Sequence, residues 1–214
     1  GFVAVDKDWK ITTLGRSGSD FTATIIGSCI NADQIIIYTD VNGILTSDPR
    51  KNIRAKTIDH LNYKQVSELA YFGAKVIHPK TLIPIIPKKI PVFVKNTFNL
   101  DQKGTIIDDK DIESNNVIDA ITSISNCRLI TVHGLGMMGT IGISGKIFNI
   151  INDMKESTPF ITQASSEQTI CFAISDKSCD LVNQKLLKEF NGEIKEKKID
   201  KIEVSEDICI ITVV

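Results

Sequence analysis

The sequence predicts an α/β segment with a parallel sheet, followed by a smaller α+β segment. In the first half, an apolar run at residues 34–40 (QIIIYTD) ends in polar residues, which is typical of a buried parallel strand. In the second half, a hairpin-length connection at residues 164–167 (ASSE) joins two apolar strands, so the second strand returns antiparallel. Between the halves, the polar residues 106–126 indicate a linker.

These boundaries divide the chain into four parts. We expect the α/β segment at residues 1–105, the linker at 106–126, the α+β module at 127–204, and the first strand of a truncated second module at 205–214. The chain opens on a strand pattern that is already under way and closes on another strand pattern. We therefore expect both ends to continue in a longer parent protein.

The composition limits the classes of partner. Hydrophobic residues make up 42% of the chain, which is enough for a core. The 25 Lys+Arg and 26 Asp+Glu leave a formal charge of −1, so no broad field favours nucleic acid or an anionic membrane. The apolar runs are too short to cross a bilayer, and no signal-peptide pattern stands at the start. We expect small molecules or proteins as partners, with no nucleic acid and no membrane.

The cysteines and histidines indicate a reducing compartment and no metal site. Five cysteines are scattered without CxxC spacing, and an odd count of buried-looking thiols favours the cytoplasm over a disulfide framework. The three histidines are far apart and lack acidic or cysteine companions at ligand spacing. We therefore expect a cytoplasmic protein without a metal of its own.

A glycine-rich turn follows the opening strand at residues 12–20 (TTLGRSGSD), and a helix pattern follows at residues 21–30. Ser19 and Asp20 are suitable N-cap residues. Unpaired amides at a helix start attract anions, and the guanidinium of Arg16 suits a carboxylate or a phosphate. The turn is therefore a candidate anion site. On these residues alone, an equal alternative is a plain capped helix with Arg16 as a solvated surface charge.

The strand at residues 34–40 ends in a second polar loop. Thr39 and Asp40 stand where the carboxyl end of a parallel strand opens into the ligand crevice of an α/β sheet. A turn at Asn42-Gly43 follows. In the stretch Asp48-Pro49-Arg50, proline favours an extended entry and the arginine offers a second fork for phosphate.

The rest of the first half predicts two helices and a strand. The first helix covers residues 63–75 and ends beside Lys75; the second runs to about Ile86, and a short strand follows at residues 92–95. His78 precedes a proline, which favours a structural role over a catalytic one.

Three of these segments together resemble successive signatures of the aspartokinase family. They are residues 12–20 (TTLGRSGSD), 38–50 (YTDVNGILTSDPR) and 72–79 (FGAKVIHP), in matching order and spacing. The resemblance covers nearly all of residues 1–105. It implies the carboxyl-terminal part of an amino-acid-kinase-like α/β sheet with helices.

The resemblance also implies roles for single residues. Arg16 pairs with the α-carboxylate of L-aspartate, and Ser19 lies beside it. Lys75 reaches the phosphates of ATP and is the candidate catalytic residue. The other residues that border the nucleotide are Thr39, Asp40, Leu45 and Arg50. Leu45 stands where many family members have tyrosine.

The reaction implied is transfer of the ATP γ-phosphoryl group to the β-carboxylate of L-aspartate, the first step toward the aspartate-family amino acids. Such transfer depends on positioning and on cations that neutralise the phosphoryl oxygens, here Lys75, Arg50 and Mg²⁺ carried by ATP. A carboxylate is already ionised at neutral pH, so no general base is required. The family's amino-terminal Lys-Phe-Gly-Gly stretch and a substrate-binding glutamate are absent. We therefore expect no kinase activity from these 214 residues alone.

In the second half, residues 134–139 (GLGMMG) fit the GxGxxG pattern of dinucleotide sites. Two observations argue against that interpretation. The following strand ends in Gln163 rather than in an acidic residue, and the strand after it returns antiparallel. The order of strand, helix, strand, strand and helix instead favours a ferredoxin-like α+β module. We interpret Met137 and Met138 as packing or module-contact residues, and residues 195–201 as a solvated turn.

This module is similar to the ACT modules of aspartokinases, and residues 160–167 (FITQASSE) look most like the threonine-responsive form fused to homoserine dehydrogenase. The resemblance implies that a free amino acid, threonine or lysine, binds between the glycine-rich loop and the second strand. Gly139 and Gly142 offer backbone groups and Gln163 a side-chain amide. Without the resemblance, Gln163 is simply a polar residue at a strand end. The resemblance also implies homo-oligomers formed through ACT modules.

One alternative to a feedback-controlled aspartokinase remains open, and the sequence disfavours a second one. One is a non-catalytic amino-acid sensor, in which the kinase-like half serves as scaffold. The other is a different amino-acid kinase, acting on glutamate or a uridylate, which would lack the Asp-Pro-Arg stretch and the Gly-Ala-Lys helix.

Overall fold

The computed structural model describes residues 1–15, 17–71, 76–111 and 118–214. The chain forms two compact units. Unit 1 comprises Gly1–Ser123 with Ile211–Val214, and unit 2 comprises Ile124–Ile210. None of the helices within the described ranges has the length and apolarity that crossing a bilayer requires.

Unit 1 contains a mixed four-stranded sheet in the order β3-β5-β6-β4 and a separate hairpin. Its strands are β1 (Val3–Val5), β2 (Ile11–Thr13), β3 (Ile35–Thr39), β4 (His60–Asn62), β5 (Val92–Asn96) and β6 (Thr105–Asp108). Its helices are α1 (Gly18–Cys29) and α2 (Tyr63–Tyr71). β3 pairs with β5 in parallel, as does β4 with β6, whereas β5 and β6 are antiparallel. The predicted α/β class is confirmed.

The start of α1 differs from the prediction. Ser19 and Asp20 are not N-cap residues, because the helix begins at Gly18 with Ser17 as its N-cap, at φ 55° and without a side-chain cap bond. A Cβ atom at Gly18 would lie 2.7 Å from that of Phe2. The missing side chain therefore lets the helix begin against the hairpin. The hairpin itself is a correction too, since β2 takes up part of the predicted glycine turn.

The predicted linker is wrong at its first residues. Residues 106–108 belong to β6, which pairs with both β4 and β5. Ile107 is fully buried, and Ala120 and Thr122 are also buried. Unit 1 accordingly extends to Ser123. The polar composition of this stretch concealed a strand that is buried by partners from elsewhere in the chain.

The prediction for the segment after α2 also needs correction. A second helix to about Ile86 does not form, and the chain makes two short 3₁₀ turns at Pro79–Thr81 and Ile86–Lys88. Pro84 and Pro87 explain this, since neither has the N–H that an α-helix needs. The imidazole of His78 accepts a hydrogen bond from the Lys80 amide at 3.2 Å, so it has a structural contact. The other predicted helix, at residues 63–75, corresponds to α2 over Tyr63–Tyr71. Its residues 72–75 lie outside the described residues.

β3 is buried on one face only. Ile35 and Ile37 are buried, whereas Ile36 is 40% and Tyr38 is 54% exposed. The expectation of a fully buried strand is therefore wrong. The physical reason is that side chains alternate between the two faces of a strand, and only the face with Ile35 and Ile37 packs into the core of unit 1.

Unit 2 confirms the ferredoxin-like α+β prediction. Three strands lie wholly within it, β8 (Ile161–Gln163), β9 (Thr169–Ser175) and β10 (Lys201–Val204). Two further strands of its sheet, β7 (Ile121–His133) and β11 (Ile208–Val213), each have three residues that belong to unit 1. The helices of unit 2 are α3 (Ile143–Asp153), α4 (Asp176–Glu189) and α5 (Asn191–Lys195). The sheet order is β10-β7-β9-β8, with β11 also pairing with β7, and the registers of the first three pairs are antiparallel.

The fourth strand of this module was missed. Within the predicted solvated turn, Ile199 is fully buried in the core of unit 2, and β10 begins two residues later at Lys201. The apolar strand at residues 208–214 pairs with β7; that it opens a second module stays a prediction. Met137 is buried as predicted for a packing residue, but Met138 is 62% exposed.

Substitution of Ile107 tests the corrected boundary. Ile107→Ala leaves a cavity in the buried sheet and should lower the free energy of unfolding by about 2–5 kcal/mol. The matched control is Ile106→Ala. Ile106 is the half-buried neighbour on the same strand, so its substitution should lower the free energy of unfolding by less. Urea unfolding followed by circular dichroism measures both. A change below about 0.5 kcal/mol for Ile107→Ala would be the behaviour of a surface linker.

Candidate functional site

The parallel pair β3 and β5 brings two polar strand ends together. Thr39 ends β3 and lies in register with Asn96, which ends β5. The Thr97 amide donates to the Thr39 carbonyl at 2.8 Å. The Thr39 hydroxyl donates to the Asp40 carboxylate at 3.1 Å. Thr39 and Asp40 thus occupy the carboxyl end of a parallel strand pair, where α/β sheets bind ligands.

The loop after Asp40 is held by two residues from later strands. The Asn96 amide donates to the Asn42 side-chain oxygen at 2.7 Å. The buried Thr105 hydroxyl accepts from the Ile44 amide at 2.8 Å and donates to the Ile58 carbonyl at 2.7 Å. Asn96 and Thr105 therefore position the loop. Sequence reasoning missed both, because no local pattern links them to it.

Gly43 is required for the close approach of this loop to Thr105. It has φ 129°, and a Cβ atom there would lie 2.5 Å from the Thr105 hydroxyl oxygen. Any larger residue at position 43 would push the loop away from its support.

Leu45, two residues further on, is half-buried and forms an isolated antiparallel bridge with Thr57.

Arg50 already has a partner. Its Nε and Nη2 atoms donate to the two carboxylate oxygens of Asp48 at 3.0 and 2.8 Å. These hydrogen bonds lower the pKa of Asp48 to about 2. The Arg50 side chain is 73% exposed, and a phosphate would have to displace Asp48 to bind its guanidinium.

The remaining predicted residues of this half are not brought together by the described structure. Arg16 and Lys75 lie outside the described residues, so their convergence with Arg50 stays a prediction. Ser19 is exposed on the first turn of α1, and its hydroxyl contacts the Asp20 carboxylate at 3.4 Å. Burial raises the pKa of Asp20.

Unit 2 contains a cavity of about 320 Å³, and all three predicted effector residues line it. These are Gly139, Gly142 and Gln163. The other lining residues are Met137, Thr140, Ile141, Ile143, Ser144, Glu167 and Ile170. The loop before α3, the start of α3 and the β8–β9 hairpin therefore meet around one hollow.

The two lining glycines leave this hollow open. Gly139 has φ 70° and Gly142 has φ 98°, conformations that favour glycine. No atom lies within 4 Å of where their Cβ atoms would be. Gly142 is also the N-cap of α3, and Gln163 ends β8 as an exposed residue. The space beside the loop backbone is thus available to a small molecule.

The first two glycines of the GxGxxG pattern serve packing. A Cβ atom at Gly134 would lie 2.2 Å from the Lys198 carbonyl oxygen, and one at Gly136 would lie 2.6 Å from the Lys198 Cα atom. β9 pairs antiparallel with both β7 and β8. The pattern therefore reflects close contact between chain segments in an antiparallel module, and the rejection of a dinucleotide fold is confirmed.

Glu167 is a cavity residue that sequence reasoning missed. Its carboxylate accepts a hydrogen bond from the Gly139 amide at 3.1 Å. Glu167 itself has φ 58° in the turn between β8 and β9. This left-handed backbone conformation draws attention to Glu167, but only the structure reveals it.

No group of three or more His, Cys, Asp and Glu side chains within the described ranges could hold a metal ion. All five cysteines are free thiols; Cys127 and Cys179 are buried, Cys171 is half-buried, and Cys29 and Cys209 are exposed.

Two family models match the chain. Residues 1–96 match the amino acid kinase family, and residues 130–190 match the ACT domain.

Among the relatives, the bifunctional aspartokinase/homoserine dehydrogenase 2 of Arabidopsis thaliana chloroplasts is 38% identical over 219 residues, covering 100% of this chain and 24% of its own length. Lysine-sensitive aspartokinase 3 of Escherichia coli is 33% identical over 219 residues, covering 100% of this chain and 47% of its own length. The chain therefore spans about a quarter of the bifunctional relative and about half of the other.

Solved structures agree in fold over the whole chain. The aspartate kinase of Clostridium acetobutylicum, described as an allosteric enzyme, has a TM-score of 0.85 and 29% identity, covering 100% of this chain and 49% of that chain. Aspartokinase III of E. coli has a TM-score of 0.77 and 32% identity in a complex with lysine and aspartate, covering 100% of this chain and 46% of that chain. The same scores hold for its complex with aspartate and ADP, where 47% of that chain is covered.

Substitution of Thr105 tests the support of the loop in unit 1. Thr105→Val leaves the Ile44 amide and the Ile58 carbonyl without their buried partner, so we expect a loss of about 1–3 kcal/mol of stability. Thr105→Ser keeps the hydroxyl and should retain most of it. Hydrogen exchange at the Ile44 amide should accelerate in the valine variant alone. Equal exchange in both variants would contradict the assigned role.

Proposed function

Since this chain is homologous to the aspartokinases over its full length, we propose that it is part of an aspartate kinase under amino-acid feedback control. The reaction proposed is transfer of the ATP γ-phosphoryl group to the β-carboxylate of L-aspartate. The single observation that carries the proposal is the likeness in fold, over the whole chain, to a solved aspartate kinase. A likeness confined to one unit would support either a kinase or a regulatory module, but not a protein that contains both.

The nucleotide is assigned to the strand-end loop of unit 1. The ADP complex of E. coli aspartokinase III supports ATP as the phosphoryl donor. In this proposal Thr39, Asp40 and Leu45 border the nucleotide, and Arg50 exchanges Asp48 for a phosphate. The Arg50 side chain is exposed to solvent, which weakens ion pairs, so we expect the exchange to be energetically accessible.

Catalysis in this proposal is positioning plus charge neutralisation. Lys75 and Arg50 face the phosphoryl oxygens, and Mg²⁺ arrives with ATP to neutralise part of their charge. Arg16 and Ser19 orient L-aspartate through its α-carboxylate, in keeping with the aspartate-bound form of the E. coli protein. The acceptor carboxylate is already ionised at neutral pH, so these residues need not remove a proton.

The cavity of unit 2 is assigned to a free amino acid. The lysine complex of E. coli aspartokinase III supports an amino-acid effector, whereas residues 160–167 resemble the threonine-responsive form. We propose backbone contacts from Gly139 and Gly142 and an amide contact from Gln163. We further propose assembly through the ACT modules and a reducing compartment such as the cytoplasm, the latter because the cysteines are free thiols.

Calorimetric titration with L-threonine and L-lysine tests the cavity. One of the two should bind the wild-type chain, and Gln163→Ala should weaken that binding about two- to tenfold, the effect of one neutral hydrogen bond. The control is Gln184→Ala on the exposed surface of α4, which should bind as the wild type does. Equal losses in both variants would remove Gln163 from the site.

An ATP titration and a hydroxamate assay with L-aspartate test the kinase half. We expect no turnover from the 214-residue chain, because the family's amino-terminal phosphate loop is absent from it. Turnover would overturn this expectation. ATP binding that Arg50→Ala weakens would support a preserved half-site, whereas effector binding with no ATP binding would favour the amino-acid sensor.

A further inference from the structure

We propose that Lys51 is a positioning residue for Arg50 in unit 1, and that it acts through a hydrogen bond to Ser123 at the start of β7. This inference rests on the proposed function of the strand-end loop, in which Arg50 binds a phosphate of ATP. It separates the roles of two adjacent cations that the sequence alone leaves equivalent. Arg50 contacts the nucleotide, whereas Lys51 holds the turn that carries Arg50.

The two cations have different kinds of partner. The Lys51 ammonium donates to the Ser123 hydroxyl at 2.8 Å, a contact that spans 72 positions of the chain. Arg50 instead binds Asp48 within the same turn, through its backbone amide at 2.9 Å and through its guanidinium. A guanidinium fork matches two oxygens of a carboxylate or a phosphate, whereas an ammonium is a point charge. The contacts therefore assign Lys51 to the support and Arg50 to the exchange of one anion for another.

Ser123 is a fixed anchor, because the residues just before it are tied into unit 1. The Ile121 amide donates to the Thr46 carbonyl at 2.8 Å. Ala120 is buried; its amide donates to the Val214 carbonyl at 3.0 Å, and its carbonyl accepts from the Val214 amide at 2.9 Å. The acceptor of Lys51 therefore lies on a strand whose start is held by backbone hydrogen bonds at the core of unit 1.

The turn that carries Arg50 is closed at its base and tight at its tip. At the base, the Thr46 amide donates to the Lys56 carbonyl at 2.8 Å, and the Lys56 amide donates to the Thr46 hydroxyl at 3.0 Å. At the tip, the Lys51 amide donates to the Asp48 carbonyl at 3.0 Å. Arg50 directly precedes Lys51 in this tip. A Lys51 side chain that is held on β7 therefore restricts rotation of the tip about its base and orients Arg50.

Charge is a further support. Hydrogen bonds from Arg50 are the main cause that lowers the pKa of Asp48 to about 2, and the charge of Lys51 lowers it further by a smaller amount. When a phosphate takes the guanidinium of Arg50, Lys51 stays near Asp48 as a second cation. The displaced carboxylate and the incoming phosphate are both anions, and this second cation reduces their mutual repulsion.

The test is calorimetric titration of the chain and its variants with ATP in the presence of Mg²⁺. Lys51→Met removes the ammonium, Ser123→Ala removes its acceptor without a change of charge, and Ser123→Thr keeps the hydroxyl. Arg50→Ala and the double variant Arg50→Ala/Lys51→Met complete a double-mutant cycle. The control Lys64→Met removes one positive charge from the exposed surface of α2 in the same unit. Circular dichroism establishes that each variant is folded.

We expect Lys51→Met and Ser123→Ala each to weaken ATP binding about two- to tenfold, the effect of one hydrogen bond. Ser123→Thr and Lys64→Met should bind as the wild type does. In the Arg50→Ala background, Lys51→Met should change the affinity by less than about twofold, because a positioning residue has no effect once the residue that it positions is gone.

Equal losses from Lys51→Met with and without Arg50 would show that Lys51 acts on the nucleotide by its own charge. That result would overturn this inference while leaving the nucleotide site intact. Wild-type affinity in Ser123→Ala, or a loss in Lys64→Met as large as in Lys51→Met, would overturn it in the same way. Absence of ATP binding by the wild type would overturn the nucleotide site itself and this inference with it.

Discussion

The antiparallel ladder between β7 and β9 determines where the parts of unit 2 meet. It runs over seven residue pairs, from Cys127 opposite Ser175 to His133 opposite Thr169. Because β9 returns antiparallel, the turn before it lies at the same end of the sheet as the loop after β7, and the Gly134 amide donates to the Gln168 carbonyl at 3.0 Å. A parallel return would have placed that turn at the opposite end. The cavity between loop and hairpin is a consequence of this one pairing.

Unit 1 uses a parallel pair to the same effect. The common direction of β3 and β5 brings Thr39 and Asn96 to one edge of the sheet. The buried Thr105 hydroxyl supports the loop after Asp40 by accepting a hydrogen bond from the Ile44 amide. The Thr105 hydroxyl is buried, whereas the Arg50 side chain is 73% exposed. The loop is therefore held from the core, while Arg50 beside it pairs with Asp48.

Most of the elements predicted from sequence have a long local signal. The apolar runs of β3, β7 and β9 and the periodic faces of α3 and α4 are contiguous, so hydrophobic periodicity identifies them. Strands β4, β6 and β10 have three or four residues each and become strands through distant partners, as His60 does opposite Ile106. Composition alone made the segments around β6 and β10 look like solvated connections.

The same limit applies to the sites. Gly139, Gly142 and Gln163 were predicted through resemblance to a family, and the structure adds that they line one cavity. Thr105 supports the amide of a residue 61 positions earlier, and Glu167 reaches a glycine 28 positions earlier. No spacing rule connects residues so far apart.

The central claim, that the cavity of unit 2 binds a free amino acid, is tested most directly by the backbone-amide magnetic resonance spectrum of the chain during titration with L-threonine or L-lysine. The account predicts saturable shifts of the Gly139 and Gly142 amides with one of the two, and no shift of the Gly27 amide in α1. Saturable shifts confined to amides outside the cavity would contradict it.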